Sequence, residues 1–206
     1  MFPGTLSLPA QNALAVLSQS GILAQAYMAG GSALALQLGH RQSVDFDFFS
    51  PVEFEPQTIA DQLKTKGEFT LDQLTPKTVL GTFGGVRLSL FHYTYALIDK
   101  TTPYEGIALA GPKDIAAMKL VAITDRGSKK DFIDLYMLAK LRFALAEMLT
   151  FYEQKYHLLT ENKLIILKSL QYFDDAETME MPVMLSSIDW DEVKKFFVQE
   201  VKQLWK

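Results

Sequence analysis

Cysteine is absent from this sequence altogether, which excludes disulfides, thiolate nucleophiles and cysteine-based zinc sites at once. Any metal must therefore sit on oxygen or histidine ligands. Long apolar runs are lacking too. None approaches the ~20 residues that a membrane span needs, and the N-terminus shows no basic, apolar and small-residue series of an export signal. The expectation is a cytoplasmic protein without a membrane partner. Basic excess is the third absence: 20 Lys and Arg against 24 Asp and Glu give a formal net charge of -4. Coating nucleic acid requires the opposite balance, because phosphates are neutralised by surplus lysine and arginine. A local basic patch remains at Arg126, Lys129 and Lys130, while Lys194 and Lys195 read as a solvated helix face. The three histidines, His40, His92 and His157, have no second histidine three or four residues away and read as structural or surface residues.

What is present suffices for a packed core. Of 206 residues 49% are apolar, enough for one ordinary domain or for one core with a helical attachment. Apolar spacing predicts a helix over 9–20, and the apolar run 24–29 reads as a strand ending in the tight turn Gly30-Gly31. Ser32 then reads as an N-cap and Gly39 as the stop of a short helix. A helix follows at 56–66. Strands are expected at 68–74, 78–83 and 86–93, with Gly84-Gly85 as the hairpin turn of the last pair. From Pro112 onward the pattern becomes helical, at 112–124, 129–141, 143–156, 160–172 and 189–204. The division expected is a mixed core over 1–110 and a helical region over 111–206.

The chemistry is concentrated in residues 44–49, Val-Asp-Phe-Asp-Phe-Phe. On a strand, Asp45 and Asp47 project from one face with Cα atoms ~6 to 7 Å apart, within reach of one hard cation or of two. The aromatics Phe46, Phe48 and Phe49 read as core packing behind them rather than as a stacking platform. An isolated Asp-x-Asp is weak, since exposed edge strands also carry acids. The turn Gly30-Gly31-Ser32, thirteen residues before Asp45, adds a helix start whose N–H groups can approach phosphate oxygens. Arg41 precedes the aspartates by a few residues and can reach the same pocket.

Residues 30–49, from Gly30-Gly31-Ser32 through Asp45-Phe46-Asp47, resemble the first motif of the polymerase-beta-like nucleotidyltransferases. More narrowly they resemble the AbiEii/AbiGii toxin branch. Asp114 to Leu120, Arg126-Gly127 and Lys130-Asp131-Phe132-Ile133-Asp134-Leu135-Tyr136 are similar to that branch's C-terminal motifs in identity and order. The resemblance spans residues 25–140, and the remaining third adds no specificity.

The resemblance implies an α+β nucleotidyltransferase core, a small mixed sheet flanked by helices, followed by a helical part that closes the cleft. It assigns Mg2+ to Asp45 and Asp47, and the triphosphate to Gly30, Gly31, Ser32, Arg41, Lys119 and Arg126. Lys130 and Asp131 join the two aspartates as catalytic residues. The implied reaction moves a nucleoside monophosphate from a nucleoside triphosphate to an RNA acceptor, such as a tRNA end, or to a protein hydroxyl. A cognate antitoxin is the implied partner. Relatives usually carry a third carboxylate on a later strand, where Arg87 or Ser89 stands here, and Asp131 is the substitute base. The alternative expectation is a nucleotide-binding regulatory module that keeps the pocket without turnover.

Overall fold

Phe46 and Phe48 have no solvent exposure, and that burial fixes the orientation of the strand carrying them. Alternate side chains of an extended chain point to opposite faces. Asp45, Asp47 and Phe49 therefore share the other side of this strand, Asp45–Ser50, and each is half-buried there. The computed structural model containing it describes residues 1–205. It divides into two compact units, Met1–Ala96 with Lys100–Gly111, and Leu97–Asp99 with the chain from Pro112 onward.

The first unit runs α1 (Leu8–Ser20), β1 (Tyr27–Ala29), α2 (Gly30–Leu38), β2 (Asp45–Ser50), α3 (Pro56–Lys66), β3 (Phe69–Thr75), β4 (Thr78–Phe83), β5 (Val86–His92), β6 (Thr102–Tyr104) and β7 (Ile107–Leu109). All seven strands form one mixed sheet, ordered β3-β4-β5-β2-β1-β7-β6. β2 lies antiparallel to β1 and parallel to β5. α1 starts at Ser7, whose hydroxyl accepts the Ala10 N–H, and α1 and α3 pack on β3 to β5, burying Leu14, Leu17, Ala60 and Leu63. They cover the face of Phe46 and Phe48: Leu90 shares a cavity with Ile59 and Gln62 of α3, and Phe83 shares one with Ala13 and Val16 of α1.

Several features depart from expectation, the first being that the strand expected over 24–29 begins only at Tyr27, after a turn. The short pair β6 and β7 adds strands that sequence periodicity did not reveal, and Pro103 is tolerable because β6 is the sheet edge. Phe49 shares the aspartates' face rather than the core face, because Phe48-Phe49 breaks the alternation by one residue.

The second unit is helical: α4 (Pro112–Asp125), α5 (Lys129–Leu141), α6 (Leu145–Tyr156), α7 (Leu159–Ser169), α8 (Asp174–Glu177) and α9 (Trp190–Leu204). α9 buries Val193, Phe197 and Val201, one stripe at four-residue spacing, and Phe132 meets the rings of Phe173, Trp190 and Phe197. The fully buried Asp114 carboxylate takes the Ile98 and Asp99 N–H groups at 3.0 Å and the Lys155 Nζ at 2.8 Å. Segment 97–99 is thereby fastened to α4 and α6, with the buried charge paired and hydrogen-bonded. Among the described residues no helix is long and apolar enough to cross a membrane.

Candidate active site

β1 passes directly into α2. Ala29, in extended conformation, is the N-cap, and no side chain caps the helix. Ser32, expected as that cap, stands instead in the first turn, and its hydroxyl turns away to β2. Gly30 is left-handed, with φ +67, and a Cβ there would lie 2.7 Å from Asp47 Oδ2. A Cβ on Gly31 would collide with the Arg41 guanidinium. Both glycines are thus required by close approach, one to the acidic strand and one to a buried cation. The first N–H groups of α2 have no partners within the helix, and the partial positive charge of that end favours anions. Gly30→Ala is expected to cost about 1 to 3 kcal/mol through left-handed strain and the Asp47 clash, read as a lower urea midpoint.

A hydroxyl chain supports this arrangement from behind. Ser32, Arg41 and Ser43 are 1%, 3% and 6% exposed, so their polar groups must find partners within the protein. Ser32 Oγ bonds both the Asp45 carbonyl oxygen and Ser43 Oγ, the latter at 2.9 Å. A carbonyl only accepts, so Ser32 gives its single hydrogen to Asp45, and Ser43 donates to Ser32. Arg41 Nη1 donates to Ser43 Oγ at 3.4 Å and to the Gln42 carbonyl at 3.0 Å. Ser43 was not legible as a site residue, since nothing distinguishes its hydroxyl in the polar run Gln42-Ser43. Ser43→Ala removes the donor to Ser32 and an acceptor for Arg41, and is expected to cost about 1 to 3 kcal/mol in urea unfolding.

The first unit therefore brings Gly30, Gly31, Ser32, Arg41, Asp45 and Asp47 together. The parallel register of β2 and β5 pairs Asp45 with Arg87 and Asp47 with Ser89. The positions beside the aspartates on β5 hold no acid. Among the described residues no group of three or more His, Cys, Asp or Glu is placed to share a cation. Two carboxylates on one face suit Mg2+ nonetheless, because that ion keeps several waters and takes one or two carboxylates together with substrate phosphates.

The second unit assembles Lys119, Arg126 and Asp131, with Asp134 as a further member. Lys119 Nζ sits 2.8 Å from Asp131 Oδ1 and 2.6 Å from Asp134 Oδ2, with both carboxylates fully buried. Arg126, whose side chain is 59% exposed, donates from Nε to Asp131 Oδ2 at 2.9 Å and from Nη2 to Oδ1 at 3.2 Å. Ser128 Oγ donates to Asp131 at 2.5 Å. Burial alone would raise the Asp131 pKa, but the Lys119 and Arg126 charges more than reverse that and hold it well below the usual carboxylate range. So stabilised an anion is a poor proton acceptor. Lys130 lies half-buried on α5, one position before this network's Asp131.

Residues 12–103 and 90–205 match the family described as nucleotidyl transferase AbiEii toxin, of type IV toxin–antitoxin systems. The chain belongs to the AbiEii nucleotidyltransferase toxin family. An uncharacterised protein of Aquifex aeolicus is 37% identical over 200 residues, covering 94% of each chain. JHP933 from Helicobacter pylori shares the fold at a TM-score of 0.55 and 17% identity, over 97% of this chain and 93% of its own. MenT4, a nucleotidyltransferase toxin of Mycobacterium tuberculosis, does so at 0.51 and 12% identity, over 95% and 86%. The α+β class and the AbiEii membership expected from residues 30–49 and 114–136 both hold.

Proposed function

We propose that this AbiEii protein is a cytoplasmic Mg2+-dependent enzyme that transfers a nucleoside monophosphate from a nucleoside triphosphate to an acceptor hydroxyl, acting as a toxin restrained by a cognate antitoxin. The observation carrying this reading is the approach of the Asp47 carboxylate to the start of α2, 2.7 Å from where a Gly30 Cβ would stand. Anion-attracting helix end and cation-attracting carboxylates side by side suit a metal-bound triphosphate. Asp45 and Asp47 would hold the metal, which neutralises charge on the phosphates when bound. The acceptor oxygen bonds the α-phosphorus, the bond to pyrophosphate breaks, and the hydroxyl proton leaves to water or to an aspartate oxygen.

Within this reading Gly30 and Gly31 offer backbone N–H groups, while Ser32 and Arg41 act from beneath by fixing α2 to β2. Lys119 and Asp131 orient Arg126, whose exposed guanidinium can still donate to an anion, and Lys130 supplies a second cation of the same unit. Asp131 serves as a positioning anion rather than as the base.

A second reading, a nucleotide-binding module without turnover, is favoured by Arg87 and Ser89 in place of an acid beside Asp45 and Asp47. The test is incubation with each of four labelled triphosphates, Mg2+ and either total RNA or a protein extract, with and without EDTA. Metal-dependent label transfer with pyrophosphate release is expected. Magnesium-dependent binding without release would establish the second reading.

A further inference from the structure

On the aspartates' face, two residues beyond Asp47, the sheet carries a row of rings. Tyr27, Phe49 and Phe91 are register partners across β1, β2 and β5. Phe49 stacks on Tyr27 with centroids 5.9 Å apart and lies 5.4 Å from Phe91. Tyr93 meets Phe49 edge-on at 5.1 Å, and Tyr95 continues the row 5.1 Å beyond Tyr93. Phe49, Phe91 and Tyr93 are half-buried and Tyr95 is 43% exposed, so the row borders solvent instead of closing into the core. α1 and α3, which bury the opposite face, do not account for it.

We propose that Phe49, Phe91, Tyr93 and Tyr95 form the subsite that stacks a base of a single-stranded nucleic-acid acceptor; this rests on the transferase reading above. Position decides between acceptor and triphosphate. Ala29 is the register partner of Asp47 and Tyr27 that of Phe49, so the glycine turn after Ala29 and the rings lie on opposite sides of Asp47. In-line displacement at phosphorus places attacking and leaving oxygens on opposite sides. With pyrophosphate leaving toward the glycine turn, the attacking hydroxyl comes from the side of the rings. The chemistry of that side suits a base: flat rings on a sheet face accept any base by stacking. A row of π-faces takes bases whatever their sequence, which favours a nucleic acid over a peptide as the acceptor.

The test is the anisotropy of a fluorescein-labelled single-stranded RNA dodecamer on the full chain without triphosphate. Phe91→Leu and Tyr95→Leu are each expected to weaken binding roughly 5- to 100-fold, and Phe91→Tyr to retain it. Tyr95 is exposed enough that its variant keeps the fold, which circular dichroism melting verifies. Asp45→Asn is expected to bind the RNA as the unaltered chain does while losing label transfer, so failure of transfer and failure of the ring subsite are separately visible. RNA affinity unmoved in both leucine variants, no RNA binding by the unaltered chain, or an equal loss of triphosphate affinity in Phe91→Leu would each overturn the proposal.

Discussion

Lys119→Met is expected to destabilise the second unit by about 3 to 5 kcal/mol at neutral pH, the cost of removing one partner from a buried ion pair. Methionine fills most of the lysine's volume, so packing contributes little to the loss. What remains is electrostatic. Asp131 and Asp134, both fully buried, would face one another with Arg126 as the chief remaining cation on Asp131. A chemical denaturation midpoint well below that of the unaltered chain is the expected result. A shift under 1 kcal/mol would mean that water reaches these carboxylates and that the network does not organise α4 and α5.

The pH dependence of that loss discriminates further. In the unaltered chain the Asp131 pKa is depressed on folding, so its contribution is present above the unfolded carboxylate value and disappears as pH falls through the folded one. The unfolded value is about 4, so this contribution persists at pH 5 and erodes only in stronger acid. In Lys119→Met the opposite holds: like charges in a dry site favour a proton on one carboxylate, so the variant gains relative stability as pH falls. The stability gap between the two proteins should therefore narrow from pH 7.5 to pH 4.5. A constant gap would assign the loss to packing.

Legibility in the sequence followed the range of each interaction. Helices such as α2, α3 and α9 and the strand β2 were readable because periodicity, and a stop such as Gly39 after α2, act within a few residues. β6 and β7, three residues each, are too short for any period to show and owe their pairing to β1 alone within the sheet. The role of Ser32 was misread for a related reason: a serine after glycines at a helix start reads as a cap, whereas its hydroxyl is claimed by Asp45, thirteen residues away. Likewise Lys119 reads as a free cation on α4 until folding brings Asp131 and Asp134 onto it. Phe49 was the opposite case. Its parity with Asp47 is visible in the residue numbers, and the attraction of a continuous Phe-Asp-Phe-Phe pattern obscured it.

Asp47→Asn should lower label transfer at least a hundredfold, and Asp45→Asn comparably, while neither lowers the melting temperature. The rate follows from charge: an amide keeps the carboxylate's shape and one acceptor oxygen but not the anion, and metal stabilisation of phosphoryl charge contributes several kcal/mol, with each 1.36 kcal/mol worth tenfold. The absence of an acid at Arg87 and Ser89 makes the loss steeper than in a site with a third ligand, because no neighbouring strand position can replace the missing charge. Stability should change little. Asp45 and Asp47 are like charges on one strand face and repel one another when no cation is bound, whereas the start of α2 attracts the Asp47 carboxylate, so the two effects oppose. An inactive variant that melts no lower than the unaltered chain, and whose rate is only partly restored by raising Mg2+, would tie the aspartates to metal and phosphate. Loss of transfer accompanied by an equal loss of melting temperature would instead mean that Asp47 holds the start of α2 in place, and that its closeness to Gly30 is a matter of folding rather than of chemistry.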